Sequence, residues 1–456
     1  MNSMGVNPFE GMLGSPAVAV LFDGPSVVGA MLAFEAALAR AEAAAGLIPA
    51  EAAEVITGAC DVDLYDVAQL VEQSRRAGSL AIPVVKQLTE AVAARSAEAA
   101  GYVHWGSTSQ DVIDTAMALV TRAAVALIGA DLDTLCKTLV DLADTHAATP
   151  MLGRTLMQPA VPITFGFKLV EWAAPLVRAR ARLRSAAQDA LQLQLGGAVG
   201  TLGSLGAHGP AVAQAVGAQL GLAVPPVSWQ TQRDRWIGLA CEIGVLCGSL
   251  GKIGRDLSLL AQAEVAELAE PSGKGRGGSS AMPHKRNPVS SMIALSTGVR
   301  TPQRVASLLA AMPQAHERGL GDWQAELAEW PGLFIAAHGA LLALNEACAG
   351  LEVDSARMLR NIDALQGLVF AGGASLALAA HIGRKRAFAL LEELSRQVVA
   401  SGRPLADFLH EAVAADPALQ SAFDRATVDA LFDPRRATAV SATVARAAVV
   451  ELRAAL

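Results

Sequence analysis

Residues 112–147 read VIDTAMALVTRAAVALIGADLDTLCKTLVDLADTHA and contain no proline. Their apolar side chains recur every three or four residues, the spacing of one face of an α-helix: Met117, Val120, Ala124, Leu127, Ile128, Leu132, Leu135, Leu139 and Leu142. A continuous helix of this length would extend about 50 Å at 1.5 Å per residue. Because such a helix must be covered along its length, the stretch predicts a bundle of long helices.

Two further segments, residues 169–195 and 234–267, have the length and composition to pack beside it. Glycines spaced through the second would let neighbouring backbones approach closely. Aromatic residues make up only 4% of the chain, which favours helices over strands. We therefore predict an all-α fold with a central bundle over residues 109–354 and smaller helical domains over 1–108 and 355–456. Several helices are apolar nearly all round, which predicts a homo-oligomer.

The charge of the chain restricts the class of partner. The formal net charge of −7 argues against a nucleic-acid surface, and no lysine-rich run indicates a membrane surface. Residues 190–232 and 364–383 carry no charged side chain, but glycines, prolines or polar residues interrupt both, so buried helix is expected rather than a membrane span. A small-molecule partner remains.

The scattered cysteines and histidines show no metal-binding spacing, so no metal is expected. Residues 1–16 lack the positive start and sustained apolar core of a secretion signal, which predicts a cytoplasmic location.

The segment PSGKGRGGSSAMPHKRNP, Pro271–Pro288, is the most informative for chemistry. Four glycines at its start permit a mobile lid, whereas Asn287 and Pro288 have the form of an N-cap and a first helical position. The following helix would point its positive end at whatever the loop encloses. Ser279 is surrounded in sequence by cations that would favour both a serine alkoxide and an anionic substrate: Lys274, Arg276, His284, Lys285 and Arg286. The alternative is a basic surface linker.

The stretch GSSAMPHKRNP at residues 278–288 resembles the signature of the fumarase/aspartase superfamily. The resemblance implies that Ser279 is the catalytic serine, and that Lys285 and Asn287, with neighbouring Ser280, bind and orient the substrate. It also implies a cofactor-independent reaction, and a homotetramer in which three subunits contribute to each active site.

Two other regions resemble the superfamily, and the similarity extends from about Phe34 into the C-terminal region. In VHWGSTSQD, residues 103–111, Thr108 and Ser109 precede the long helix and could hold a carboxylate, although an ordinary helix cap would look the same. In GRTLMQPAVPIT, residues 153–164, the candidate ligands are Arg154, Thr155 and Gln158.

The second region departs from the superfamily's lyases, which place a histidine after Gly-Arg-Thr and pair it with a glutamate beyond the serine loop. This chain has Leu156 and Met292 at those positions. Bacterial 3-carboxy-cis,cis-muconate cycloisomerases also replace the pair with apolar residues, because the nucleophile is the substrate's own carboxylate. Further runs resemble that subfamily: FEAALARAE at 34–42, TQRD at 231–234, MPQAHER at 312–318 and QGLV at 366–369.

The resemblance implies closure of 3-carboxy-cis,cis-muconate to 4-carboxymuconolactone, a step of protocatechuate and β-ketoadipate aromatic catabolism. Arg233 and Arg318 are candidate anion ligands. His104 could orient a carboxylate or tune Ser279, or be structural. The glycine-rich turn up to Thr201 could let backbone approach the ligand, or only end a helix. The alternatives are a fumarate-releasing lyase similar to adenylosuccinate or argininosuccinate lyase, and a catalytically inactive helical assembly protein.

Overall fold

A computed structural model describes residues 7–456 and is predominantly helical. The N-terminal helices are α1 (Pro8–Leu13), α2 (Pro16–Leu21), α3 (Gly24–Ala44), α4 (Ala50–Ala59), α5 (Val67–Ala77) and α6 (Ala81–Ala93). Four of them have an N-cap residue whose side chain accepts a hydrogen bond from a backbone N–H of the first turn. This bond satisfies a donor that the helix itself leaves free. The four N-cap residues are Asn7, Ser15, Asp23 and Asp66.

The middle of the chain contains α7 (Ser109–Thr145), α8 (Phe165–Ala190), α9 (Gly209–Leu220), α10 (Asp234–Leu260), α11 (Val289–Ala311) and α12 (Asp322–Ala349). The 37 residues of α7 correspond to about 55 Å of helix. The three predicted long helices are confirmed, with ends displaced by at most seven residues. A Cβ at Gly251 of α10 would lie 3.1 Å from Cα of Gly298 of α11, so these two helices approach as closely as the predicted glycine spacing requires.

The C-terminal helices are α13 (Ser355–Asp363), α14 (Ala371–Ile382), α15 (Arg384–Ser401), α16 (Leu405–Ala415), α17 (Pro417–Gln420), α18 (Arg425–Leu431), α19 (Pro434–Ala437) and α20 (Ala439–Ala455). Buried side chains of α14, α15, α16 and α18 form a common apolar cluster that includes Leu378, Leu391, Leu409 and Val428. Burial of these faces holds the short helices together.

Two small antiparallel pairings correct the strictly all-α prediction. Strand β1 (Pro150–Thr155) pairs with β2 (Gln158–Thr164), and β3 (Leu268–Ala269) pairs with β4 (Glu352–Val353). Residues 190–232 also differ from the expected buried helix, because only α9 is an α-helix there and the remainder is loop and 3-10 turn. The many glycines and prolines that interrupt this segment account for the difference.

The chain divides into two compact units. The first comprises the described residues up to Leu132 together with Ala179–Gly251 and Ile293–Leu342, and the second comprises Asp133–Arg178, Lys252–Met292 and Ala343–Leu456. The predicted division after residues 108 and 354 follows the starts of α7 and α13 and stays a prediction.

The first unit has a core of tryptophans around one arginine. The Trp236 and Trp330 rings stack with centroids 3.9 Å apart, and Trp229 lies 5.5 Å from Trp236. The guanidinium carbon of Arg233 lies 4.5 Å from the Trp229 ring centroid. A charged group among aromatic rings must be paired, and Arg233 bonds to Asp114 of α7 and Glu326 of α12.

Among residues 7–456, three helices are long and apolar enough to cross a membrane by length and composition, and a bent pair in α13 and α14 would make a fourth. They are α7, α10 and α12, and between 50% and 61% of each apolar window is buried inside the protein. Two of the three carry the buried carboxylates that pair with Arg233. Inward-facing ion pairs of this kind are typical of helices that pack in a protein core.

Candidate active site

Ser279 is half-buried in the loop between β3 and α11, and its oxygen faces two backbone donors. The amides of Met282 and Ala281 donate to Oγ over 3.0 and 3.3 Å. Fixed N–H dipoles aimed at an oxygen stabilise negative charge on it. The local backbone therefore favours the alkoxide that a proton-transferring serine requires, and this contribution comes from amides rather than cations.

The start of α11 is occupied by a carboxylate that the sequence analysis missed. Buried Glu270 accepts from the amides of Ser290 and Ser291 over 2.9 and 2.8 Å, and from Ser291 Oγ over 2.7 Å. The predicted N-cap at Asn287 is therefore wrong: α11 begins at Val289, and the side-chain Nδ2 of Asn287 donates instead to the Gly278 carbonyl over 3.3 Å. The positive end of this helix is neutralised by Glu270.

Two of the five loop cations are also neutralised. Arg276 contacts Glu270 and Glu346, and it donates to Ser290 Oγ over 2.7 Å. Arg286 donates to Glu352 over 2.7 Å and to the Glu270 carbonyl over 2.8 Å. These arginines fix the ends of the loop, whereas Lys274, His284 and Lys285 are exposed and available to an anion.

Gly277 closes the loop where its two ends meet. Its φ is +63°, and the Asn287 amide donates to its carbonyl over 2.8 Å. An added Cβ would lie 2.5 Å from the Asn287 carbonyl oxygen. Glycine is therefore required both by the left-handed backbone and by the space.

A cavity of about 770 Å³ lies beside the loop within the second unit. Its lining includes Gly278, Lys285 and Asn287 on the loop and Glu352 and Asp354 on the other wall, but not Ser279. The predicted binding pair and the predicted catalytic serine thus do not line the same cavity in this conformation of the loop. Ser280 is exposed beside Ser279.

The predicted ligands of the β1–β2 hairpin divide into two groups. Arg154 donates from both terminal nitrogens to Glu267, over 3.0 and 2.7 Å, so its guanidinium is engaged by this carboxylate rather than free for a substrate. Thr155 and Gln158 are exposed and face each other across the turn. Leu156, at the position of the lyase histidine, is 97% exposed with φ +49°, and Met157 follows with φ +64°.

At the start of α7 the ordinary cap is present. The Thr108 amide donates to Asp111 over 3.1 Å, the reciprocal bond of a capping box. The amides of Gly196 and Gly197 and the side chain of Gln194 donate to the same buried carboxylate. Burial raises the pKa of Asp111 to about 6, and the hydrogen bonds oppose that rise.

Asp111 therefore takes the glycine amides that were expected to face a ligand. Ala198, Val199 and Thr201 form the exposed part of that turn, and of these only Thr201 has a polar side chain. Asp111 was missed, although its spacing of three residues from Thr108 is a local signal.

Thr108 and Arg318 are brought together within the first unit. Arg318 Nη2 donates to Thr108 Oγ1 over 2.8 Å and to the Ala198 carbonyl over 3.2 Å. Ser109 is the first residue of α7 and is half-buried beside them. A guanidinium and two hydroxyls form a suitable cradle for one carboxylate.

The prediction that Arg233 binds the substrate is wrong. Its side chain is only 1% exposed, and it bonds to Asp114 over 2.7 Å and to Glu326 from Nε over 3.1 Å. Burial alone would lower the pKa of Arg233, but the two carboxylates raise it. The guanidinium neutralises its own core and does not reach a substrate.

His104 lies just before α7 and pairs with Glu35 of α3. The distance from Nδ1 to Oε1 is 2.6 Å, and Glu35 is buried. Burial lowers the pKa of His104, but the charge and hydrogen bond of Glu35, helped by Asp111, raise it overall above its ordinary value. Within residues 7–456, no group of three or more His, Cys, Asp or Glu side chains could hold a metal ion.

Long helices and a serine loop ending in MPHKRNP are together the features of the fumarase/aspartase superfamily. The family model described as Lyase matches residues 21–300, and the chain belongs to this family. Among curated proteins, 3-carboxy-cis,cis-muconate cycloisomerase from Bradyrhizobium diazoefficiens is 48% identical over 93% of this chain and 93% of that protein. The enzyme of the same name from Pseudomonas aeruginosa is 49% identical over 88% and 87%.

A solved structure of similar fold is 3-carboxy-cis,cis-muconate lactonizing enzyme from Pseudomonas putida. It superposes with a TM-score of 0.92 at 42% identity, and the alignment covers 98% of this chain and 99% of that one. The fold expected from the resemblance is thereby confirmed.

Proposed function

We propose that the chain is a cofactor-independent cycloisomerase that converts 3-carboxy-cis,cis-muconate to 4-carboxymuconolactone in β-ketoadipate aromatic catabolism. The observation that carries the proposal is the 48–49% identity to enzymes of this name over most of both chains. Leu156 and Met292 add support, because a reaction whose nucleophile is a carboxylate needs no base to deprotonate it.

The reaction adds a substrate carboxylate oxygen across the conjugated double bond. The new C–O bond leaves an enolate-like aci-carboxylate, which is protonated at carbon. Ser279 Oγ–H gives this proton, and the amides of Ala281 and Met282 stabilise the resulting serine oxyanion until solvent returns a proton. The three carboxylates of the substrate require several separate anion-binding groups.

The accessible groups for those carboxylates are the cradle of Thr108, Ser109 and Arg318, with Thr201 nearby, and the loop groups Ser280, Lys285 and Asn287. Thr155 and Gln158 on the hairpin are further candidates. Arg233 is no longer among them, and Arg154 acts through its bond to Glu267 as an anchor of the hairpin.

These groups come from both compact units, and we propose that they meet in a homotetramer in which several subunits supply each site. Exposed apolar side chains on long helices support association: Val245 of α10 is 53% exposed and Val299 of α11 is 66% exposed. Large apolar groups left in water on rigid helices are typical of subunit interfaces. A soluble protein acting in the cytoplasm is proposed with it.

The test is turnover of purified protein with 3-carboxymuconate, argininosuccinate and adenylosuccinate. Loss of muconate absorbance without fumarate release is expected. Ser279→Ala should lower kcat by roughly 10²- to 10⁴-fold because it removes the proton donor. Ser272→Ala, an exposed serine of the same loop, is the matched control and should keep wild-type activity.

Fumarate release would instead favour the lyase alternative. Full activity in Ser279→Ala would remove the serine from the mechanism.

A further inference from the structure

The chain carries a histidine–glutamate pair at positions other than those at which the lyases carry theirs. Glu35 of α3 and Glu42, two turns further along the same helix, are both buried, but they differ in their contacts. Glu35 Oε1 bonds to His104 over 2.6 Å. Both carboxyl oxygens of Glu42 lack a hydrogen-bond partner within the described residues.

The pairing leaves one side of the imidazole free. Nδ1 is taken by Glu35, the side chain is 19% exposed, and Nε2 has no hydrogen-bond partner among residues 7–456. A histidine whose Nδ1–H bonds to a buried carboxylate has a fixed ring orientation and tautomer, and its protonated form is stabilised.

The backbone conformation of His104 is strained, which supports a specific role for its pairing with Glu35. Its φ is +59°, a left-handed conformation that costs a β-carbon-bearing residue about 1 kcal/mol or more. The ring thereby reaches Glu35 from a turn four residues before Thr108, whose hydroxyl belongs to the carboxylate cradle. Strained residues of this kind concentrate at functional sites.

We propose that Glu35 is a positioning residue that holds His104 as a substrate-facing imidazolium, with Nε2–H directed at a carboxylate of the bound anion. This inference rests on the proposed function. The charged groups that act on the ring are Glu35 and Asp111, and Glu35 also interacts electrostatically with the titratable groups of Glu42 and Cys60. Glu35 acts through His104 and does not itself touch the substrate.

The experiment compares Glu35→Gln with Glu42→Gln, two buried carboxyl-to-amide changes on one helix, together with His104→Gln. A cationic His104 is lost as pH rises, so kcat/KM should have a falling limb at the pKa of His104. Removing the Glu35 charge should move that limb to lower pH and raise KM roughly tenfold at neutral pH. Glu42→Gln should change neither, and the Glu35→Gln/His104→Gln double variant should be no worse than His104→Gln alone.

A direct titration separates the pairing from the proposed function. In protein labelled with ¹³C-histidine, the signal absent from His104→Gln identifies His104, and its pKa should fall in Glu35→Gln and stay unchanged in Glu42→Gln. Unchanged titration, or an unchanged pH profile and KM accompanied only by a lower Tm, would reduce the pair to a structural role and overturn the proposal. If wild-type protein turns over no carboxymuconate, the proposed function has failed, while the titration still decides the pairing.

Discussion

Glu42 shows what burial does to a single unpaired carboxyl group. It is fully buried, and burial, followed by the charge of Glu35, raises its pKa to about 9. In the unfolded chain the group ionises near pH 4.5, whereas in the folded chain it keeps its proton to about pH 9. Its contribution to stability is therefore fully present below pH 4.5 and is lost progressively as pH rises towards 9.

Glu42→Gln removes this ionisation and should stabilise the fold at neutral and alkaline pH. We expect a gain of roughly 1–3 kcal/mol at pH 8 and little change at pH 4.5, measured from urea unfolding midpoints at both values. Glu54→Gln, an exposed position of α4, is the matched control and should shift neither midpoint. A variant less stable than wild type at both pH values would mean that Glu42 is hydrogen-bonded after all.

At this scale the sequence predicts the chemical groups better than their partners. The loop motif predicts the importance of Ser279, Lys285 and Asn287, and the structure adds the amide donors that surround the serine oxygen. Arg233 was assigned to the substrate because an arginine in sequence gives no sign of nearby carboxylates. Its partners Asp114 and Glu326 come from distant helices, so only tertiary packing reveals them.

The conformation of the serine loop depends on one carboxylate at its base, that of Glu270. Glu270 binds the first amides of α11 and Arg276, while its own carbonyl binds Arg286. Both ends of the loop therefore converge on a single residue, although its four glycines would otherwise favour disorder. Hydrogen bonds to a charged group contribute about 1.5–3 kcal/mol each, far more than an exposed ion pair.

Glu270→Gln should consequently loosen the loop, because an amide NH₂ would face backbone N–H donors. Trypsin can cut after Lys274, Arg276, Lys285 or Arg286. We expect cleavage of the native variant to be at least ~10-fold faster than that of the wild-type protein, with the cleavage rate measured by mass spectrometry. Glu352→Gln removes an exposed partner of Arg286 and should change the rate little. Equal rates in both variants would show that the anchor lies elsewhere.

The sequence predicts secondary structure well where the apolar spacing extends over many residues. The apolar spacing of residues 112–147 predicts α7 to within three residues at each end. The β1–β2 hairpin was not predicted, because its two-residue turn is Leu156–Met157 rather than the glycine or asparagine that normally signals such a turn. Left-handed backbone at two apolar residues has no sequence signature.

At the scale of the whole molecule, active sites assembled from several subunits would allow two inactive variants to complement each other in a mixed oligomer. Ser279→Ala and Thr108→Ala change different units of the chain, so a mixed tetramer would contain some sites that are intact in both. Unfolding and refolding the two variants together should restore roughly a quarter of wild-type activity at most, as a statistical order of magnitude for random mixing. Each variant refolded alone is the control.

Sedimentation of the wild-type protein should accompany that experiment and is expected to give a tetramer. Failure to recover activity from a mixture that has demonstrably exchanged subunits would contradict the shared-site arrangement. The oligomer was inferred from apolar helix faces and from the family, and neither specifies which residues meet, because that depends on surfaces rather than on local periodicity.

The tryptophan core gives the protein a built-in optical probe. Trp229, Trp236, Trp323 and Trp330 are all buried in the first unit, so intrinsic fluorescence chiefly reports the integrity of that interior. Residues 271–288 contain no Trp, Tyr or Phe, and the serine loop therefore contributes nothing to the intrinsic fluorescence. A tryptophan introduced at exposed Ser272 would make loop motion visible as a change in emission against the signal from the core.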